Sequence, residues 1–137
     1  MGESSVALAA QARQREANKR IILDFYENGL MRRDFEAARK HFGARYTQHN
    51  PAVADGADGF AAFLQFLREK LPSSRSEIKR VFADGDYVIL QVHAVLGTGE
   101  RDLAIVDIFK LENGKIVEHW DVMQPIPENG ANPNGMF

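Results

Sequence analysis

The stretch that most constrains the fold is a predicted hairpin from Tyr87 to Leu111. Residues 87–96 and 102–111 are rich in Val, Ile, Leu and Phe, and a Gly-Thr-Gly-Glu segment separates them. Two such runs, each about the length of a strand, predict a pair of antiparallel strands. Because side chains alternate between the two faces of a strand, both faces of this hairpin are mostly apolar and both need cover.

Three polar residues interrupt these apolar faces. Gln91 and His93 share one face of the first strand, and Asp107 interrupts a face of the second. A connecting loop with an odd number of residues pairs Asp107 with Ile89 or Gln91, within cross-strand reach of the other two polar side chains. An even-numbered loop would turn Asp107 to the opposite face. We expect the odd register, which gathers Gln91, His93 and Asp107 on one patch.

Composition narrows the functional class. The chain has 137 residues, 17 basic against 19 acidic residues, and no cysteine. Its length fits one domain, and the charge pattern favours neither nucleic acid nor an anionic membrane as a partner. Disulfides, thiol nucleophiles and thiolate zinc sites are excluded. No run has the roughly 18 apolar residues of a membrane span, and no signal peptide is recognisable, so we expect a cytoplasmic protein.

The rest of the chain predicts helices followed by strands. Helices are expected at about 18–28, 34–42 and 58–71, and strands at about 76–83, 87–96, 102–111 and 115–124. Tyr46–Pro51 is interpreted as a short edge strand or loop. This order predicts one α+β domain, 1–137, with a core of about 18–124, an N-terminal extension (1–17) and a non-regular C-terminal arm (125–137).

The order of elements, the Tyr46–Pro51 segment and the run from Asp107 to Val122, which includes Gly-Lys-Ile-Val-Glu-His-Trp-Asp, resemble the SnoaL-like polyketide cyclases. These belong to the nuclear-transport-factor-2-like superfamily, which also contains ketosteroid isomerase. The resemblance covers about 18–124. It implies a cone-shaped, curved antiparallel sheet wrapped around three N-terminal helices, enclosing a pocket for a small apolar or aromatic ligand, usually in a dimer.

The resemblance also implies a set of catalytic residues. In the characterised cyclases a glutamine, a histidine two residues later and an aspartate fourteen residues beyond it line the pocket, and the aspartate is the acid/base of an aldol ring closure. Gln91, His93 and Asp107 have this spacing. Burial among apolar neighbours is expected to raise the pKa of Asp107 toward neutrality. The alternative is a hydrogen-bonded pair that only fixes sheet register.

Five further residues are candidates for substrate binding. His49 and Asn50 are placed at the pocket rim or in a turn before a proline. His119 and Asp121 share a face of the last strand and point either to the pocket mouth or to solvent or an interface. Tyr26 supplies a pocket hydroxyl or packs at the core edge. The four histidines lack metal-ligand spacing, so no metal is expected.

Two functions from different classes remain open. The first is a cofactor-independent cyclase or isomerase acting on a small apolar carbonyl compound, with Asp107 as base and acid. The second is a non-catalytic protein that binds small molecules with the same fold. A hydrolase of the epoxide-hydrolase type is a third, although it needs an Asp-Arg-Asp set and no arginine lies on the inferred inward faces.

The second apolar stripe of the sheet predicts a homodimer through the outer sheet face. Its members are Val88, Leu90, Val92, Val106, Ile108 and Trp120.

Overall fold

The computed structural model describes residues 4–137, and in these residues helical segments pack against one curved sheet. The helices are α1 (Ser5–Asp24), a π-helical segment that continues it (Phe25–Met31), α2 (Phe35–Arg39) and α3 (Gly56–Lys70). The strands are β1 (Phe42–Gln48), β2 (Arg75–Asp84), β3 (Tyr87–Val95), β4 (Leu103–Glu112) and β5 (Lys115–Pro125). This α+β layout confirms the predicted fold class.

The first helix begins earlier than the predicted firm helix. The side chain of Ser4 accepts the backbone N–H of Ala7 at 3.1 Å, which satisfies a free donor at the helix start. The helix then runs without a break into the π-helical segment, where Gly29 was expected to end it. A side chain at Gly29 would place its Cβ 2.7 Å from the Cβ of Ala38, so glycine here permits α2 to pack closely.

The sheet has the strand order β1-β5-β4-β3-β2. The predicted four-stranded antiparallel meander, β2 to β5, is present. The chain adds β1, which lies parallel to β5 at the edge of the sheet. The second predicted helix, expected at about 34–42, was too long. In the structure α2 ends at Arg39, and Phe42 is the first residue of β1.

The register of β3 against β4 differs from the predicted one. Leu90 lies opposite Asp107, and Gln91 lies opposite Val106, which is the even-loop register. Because neighbouring residues point to opposite faces, Asp107 shares the inner face with Leu90 while Gln91 and His93 point outward. The expected convergence of the three side chains is therefore wrong. The physical reason is burial. Val88, Leu90 and Val92 lie on the other face of β3 from Gln91 and His93, and their apolar side chains are fully buried in the core.

Aromatic rings fill the base of the core. The ring of Phe25 lies 5.2 Å from that of Phe60, 5.4 Å from that of Phe42 and 5.7 Å from that of Phe109, which joins the π-helical segment, α3, β1 and β4. Contacts of this kind add to the apolar area that they bury. The three helices and the inner sheet face thus share one core.

The outer sheet face is only partly covered. The C-terminal arm crosses β2 and β3, where the Gln91 amide donates to the Met136 carbonyl at 3.2 Å and the Phe137 ring stacks on His93 at 4.8 Å. Of the stripe predicted for a dimer, Val88, Leu90 and Val92 belong instead to the core. The outer face carries Val106, Ile108 and Trp120 together with Phe82, Tyr87, Ile89 and Val122. No helix in residues 4–137 is long and apolar enough to cross a membrane.

Leu64 offers a test of the core. It is fully buried in α3 and belongs to the core without lining the cavity described below. We expect Leu64→Ala to lower the free energy of unfolding by about 2–5 kcal/mol, because the truncation leaves a hole that the packed rings fill only in part. Its exposed neighbour Gln65→Ala is the control and should cost less than about 1 kcal/mol. Urea denaturation of both variants measures the difference, and equal losses would contradict this packing.

Candidate functional site

A cavity of about 690 Å³ lies between the helices and the inner sheet face. Exposed lining residues such as Arg75, Phe66 and Met123 mark its opening, at the end of the sheet where β2 starts and β5 ends. Most of the wall is apolar, and its aromatic members are Phe25, Tyr26, Tyr46, Phe60, Phe63, Phe66 and Phe109. Volume and lining are those of a small-molecule site.

Asp107 is the most buried acidic side chain of the cavity wall. It is 4% exposed and sits on the inner face of β4 between the apolar Ile105 and Phe109. One carboxylate oxygen, Oδ1, lies 2.8 Å from His119 Nε2, and the other, Oδ2, accepts a hydrogen bond from the Tyr26 hydroxyl at 3.1 Å. The carboxylate is therefore held from two sides, by β5 and by the π-helical segment.

The strand pairing explains why these groups meet. Asp107 pairs with Asp121, and Phe109 pairs with His119, so alternate residues of β4 and β5 line the same face. The His119 ring packs against Phe109 with centroids 4.7 Å apart. Its second nitrogen, Nδ1, lies 2.7 Å from Oε1 of Gln48 at the end of β1.

Asp121 is the second carboxylate of the wall. Its Oδ2 accepts the side-chain amide of Asn50 at 2.9 Å and lies 4.0 Å from His119 Nε2. Burial raises the pKa of Asp121, and the Asn50 hydrogen bond and the neighbouring His119 offset only part of this effect. The site thus contains a carboxylate that gives up its proton less readily than a free aspartate.

The two phenols of the site keep their protons at neutral pH. Burial raises the pKa of Tyr26 well above its usual value, and the negative charge of Asp107 raises it further. Burial also raises the pKa of Tyr46, with the charges of Asp107 and Asp121 acting in the same direction. Both hydroxyls can therefore donate hydrogen bonds in the cavity.

Five of the eight predicted site residues lie together. They are Tyr26, Asn50, Asp107, His119 and Asp121, all of which line the cavity. This arrangement agrees with the alternatives in which His119 and Asp121 face the pocket and Tyr26 supplies a pocket hydroxyl.

The other three predicted residues lie on the outer face. Gln91 accepts a hydrogen bond from Arg80 at 2.6 Å, and His93 pairs with Asp102 at 2.7 Å. His49 is 2.6 Å from Glu118, and its ring stacks on that of Trp120. His49 thus lies outside the cavity although Asn50, its neighbour, lines it, because adjacent residues of an extended chain point in opposite directions.

Sequence reasoning missed Gln48 and Tyr46. Gln48 Nε2 donates to the Tyr46 hydroxyl at 3.2 Å, and both residues line the cavity. A signal was present, because Tyr46, Gln48 and Asn50 are spaced two residues apart, the period of one strand face.

The same cluster is where a metal ion would find ligands in the described part of the chain. One potential ligand atom each of Asp107, His119 and Asp121 lies within 4.8 Å of the others. The His119 nitrogen and both Asp107 oxygens, however, already take part in hydrogen bonds within the cluster. The hydrogen bonds within the cluster therefore occupy these atoms, and we assign no metal to it.

Comparison with known proteins agrees with this architecture. The family described as the SnoaL-like domain matches residues 22–119. No curated protein sequence matches the chain significantly.

Three solved structures share the fold. A candidate ketosteroid isomerase from Kribbella flavida has a TM-score of 0.68 at 20% identity, covering 88% of this chain and 84% of its own. IdmH, a candidate polyketide cyclase from Streptomyces antibioticus, has a TM-score of 0.66 at 20% identity, covering 77% and 91%. A LEH-like epoxide hydrolase from M. tuberculosis has a TM-score of 0.66 at 18% identity, covering 81% and 85%. At such identities the likeness concerns the fold alone.

Proposed function

The chain belongs to the SnoaL-like family, and from this premise we propose that it is a cofactor-independent enzyme acting on a small apolar carbonyl compound. The proposed reaction is acid/base chemistry at the carbon next to the carbonyl group, either an aldol-type cyclisation or an isomerisation. One observation carries the proposal. The Asp107 carboxyl group, 4% exposed, faces an apolar cavity and is hydrogen-bonded to both a histidine and a tyrosine.

This reaction class needs a proton acceptor near a C–H bond and a proton donor near an oxygen. A carboxylate is a weak base, and it removes the α proton of a carbonyl compound at a useful rate only if hydrogen bonds or a proton stabilise the developing enolate oxygen. Asp107, His119 and Tyr26 offer such groups within one cluster, and the apolar wall strengthens their interaction by excluding water.

The cavity favours a flat, apolar ligand. Its volume of about 690 Å³ falls within the range of about 300–1,000 Å³ usual for small-molecule sites. Ring faces from α3, β1 and β4 surround the space, and aromatic walls of this kind stack against planar ligands. An aromatic or polycyclic ketone has the expected shape.

A non-catalytic binding protein is the second candidate, and one observation favours it. Every fully buried side-chain nitrogen or oxygen in the described part of the chain already has a hydrogen-bond partner. The cluster is thus satisfied without a ligand and could serve only to orient one. The two candidates differ in whether the protein moves a proton.

Asp107→Asn separates the two candidates. Asparagine keeps the shape and can still hydrogen-bond to Tyr26 and His119, but it cannot carry a proton. We expect protein-dependent exchange of α-protons in a panel of ring-containing ketones, followed by proton NMR in D₂O, to fall about 100-fold or more. Ligand binding and melting temperature should stay close to those of the wild type.

The control is Asp102→Asn. Asp102 pairs with His93 at 2.7 Å, almost as Asp107 pairs with His119 at 2.8 Å, but lies on the outer face. We expect the control to exchange α-protons at the wild-type rate. An Asp107→Asn protein that is stable and as active as the wild type would refute the catalytic role, and binding without exchange in every form would establish the binding protein.

We further propose that a second copy of this chain covers the outer sheet face. Phe82, Tyr87, Val106 and Val122 are 55%, 40%, 40% and 70% exposed there, close together on neighbouring strands. A contiguous apolar patch of this kind is typical of an interaction surface.

We expect sedimentation velocity at micromolar concentration to show a dimer that Val122→Lys weakens at least tenfold, since a charge at the centre of an apolar interface loses its water. Val6→Lys, equally exposed but on α1, is the control and should leave the dimer intact. A wild-type monomer would overturn the assignment.

A further inference from the structure

The hydrogen bonds of Gln48 determine which ring nitrogen of His119 carries hydrogen. Gln48 Oε1 accepts the backbone N–H of Asn50 at 2.9 Å. Because a backbone N–H can only donate, the atom that it reaches is the carbonyl oxygen of the amide, which fixes the orientation of the side chain. His119 Nδ1 lies 2.7 Å from the same oxygen. An oxygen of this type only accepts, so Nδ1 carries a hydrogen.

The other side of the ring then holds a second proton. His119 Nε2 and Asp107 Oδ1 are 2.8 Å apart, a distance that requires a hydrogen between them. With Nδ1 already protonated, this hydrogen makes either a carboxylic acid of Asp107 or an imidazolium of His119. In both forms the pair holds one transferable proton. Loss of this proton would leave two lone pairs facing each other, either between His119 and Asp107 or between His119 and Gln48.

Asp121 is placed to accept a proton instead. Its Oδ2 accepts the Asn50 amide, while Oδ1 has no hydrogen-bond partner within residues 4–137. The Oδ2 atom lies 4.0 Å from His119 Nε2, so the Asp121 carboxylate is close enough to exchange a proton with the pair after a small movement. Of the two cavity carboxylates, Asp121 is thus the one with a free oxygen.

We propose that Gln48 is a positioning residue: by holding the hydrogen on His119 Nδ1, it keeps one proton on the Asp107–His119 pair as the acid and leaves Asp121 to act as the base. This assignment rests on the function proposed above and divides its two roles between two carboxylates. Asp107, which the sequence favoured as both base and acid, is here part of the acid only.

The proton balance of the reaction is closed. The Asp121 carboxylate takes the proton from the α carbon, and the electron pair of the C–H bond becomes the enolate. In an aldol-type cyclisation the enolate carbon bonds to a second carbonyl carbon, the π bond of that carbonyl group breaks, and the proton of the Asp107–His119 pair passes to the alkoxide oxygen. The proton on Asp121 then returns to the pair after the product leaves, and the site is reset. In an isomerisation the pair only donates a hydrogen bond to the enolate oxygen, and Asp121 returns its proton to another carbon of the enolate.

Nitrogen NMR of protein labelled with ¹⁵N-histidine tests the assignment without any substrate. The chemical shifts distinguish hydrogen on Nδ1, on Nε2 and on both, and a His119→Gln variant identifies the signals. The charged groups facing the ring are Asp107 from β4 and Asp121 from β5, and the phenols of Tyr26 and Tyr46 are neutral. We expect the spectrum of the wild type to show hydrogen on Nδ1 of His119.

Gln48→Met removes the acceptor at nearly constant side-chain length. We expect the hydrogen to move from Nδ1 to Nε2, where it donates to the Asp107 carboxylate. Because the pair then no longer holds a second proton, we expect α-proton exchange to slow tenfold or more. Gln91→Met is the matched control, because the Gln91 side chain is also hydrogen-bonded through both its oxygen and its nitrogen but lies on the outer face. It should leave both the His119 signals and the exchange rate unchanged.

Gln48→Glu keeps an acceptor and adds a negative charge, so it tests the assignment even if the methionine variant fails to fold. We expect Nδ1 to stay protonated, as in the wild type. Wild-type His119 signals in Gln48→Met, or hydrogen on Nε2 but not on Nδ1 in Gln48→Glu, would overturn the positioning role. If the NMR signals follow expectation while no form of the protein exchanges any ketone, the positioning role holds and the proposed enzymatic function falls.

Discussion

The pairing of β3 with β4 is the constraint on which the site depends. Because Leu90 lies opposite Asp107, the face of β3 that carries only apolar side chains is buried in the core, and the Asp107 carboxyl group is buried with it. A slip by one residue would bury Gln91 and His93 and expose Leu90, at a cost of several buried apolar side chains. The cost of burying Asp107 is offset by hydrogen bonds from two other elements, because Tyr26 and His119 both reach it.

Much of the fold could be predicted from the sequence because periodicity determines which face of an element is apolar. The amphipathic α3 and the meander from β2 to β5 were identified in this way. The parallel strand β1 was predicted only in part: Tyr46–Pro51 was interpreted as a short edge strand or loop, whereas the strand starts at Phe42. Its mixed sequence Phe-Gly-Ala-Arg-Tyr-Thr-Gln shows alternation only near its end. A strand of this kind is defined by its partner, β5, and pairings between distant segments leave little trace in local sequence.

Only part of the candidate site could be predicted from the sequence, for a related reason. Asp107, His119 and Asp121 could be named because each is a polar residue on a face of a predicted strand. Asn50 was named because it lies in the polar Tyr46–Pro51 segment, and Tyr26 because the first predicted helix carries its hydroxyl. Which of them meet depends on strand register, and two registers were open for the hairpin. The family spacing of Gln91, His93 and Asp107 favoured the odd register, yet in this chain the first two bind the C-terminal arm and Asp102. His119, on the next strand, takes the place beside the carboxyl group that was expected for His93.

The central claim is that chemistry or recognition occurs at the Asp107–His119 pair inside the cavity. A crystal structure of the protein soaked with a panel of ring-containing ketones tests this claim most directly. We predict a ligand stacked among the cavity aromatics, with an oxygen atom within about 3.2 Å of Asp107, His119 or Tyr26. A ligand bound at Gln91 and His93 on the outer sheet face, or one in the cavity with its polar atoms turned away from Asp107, would contradict it.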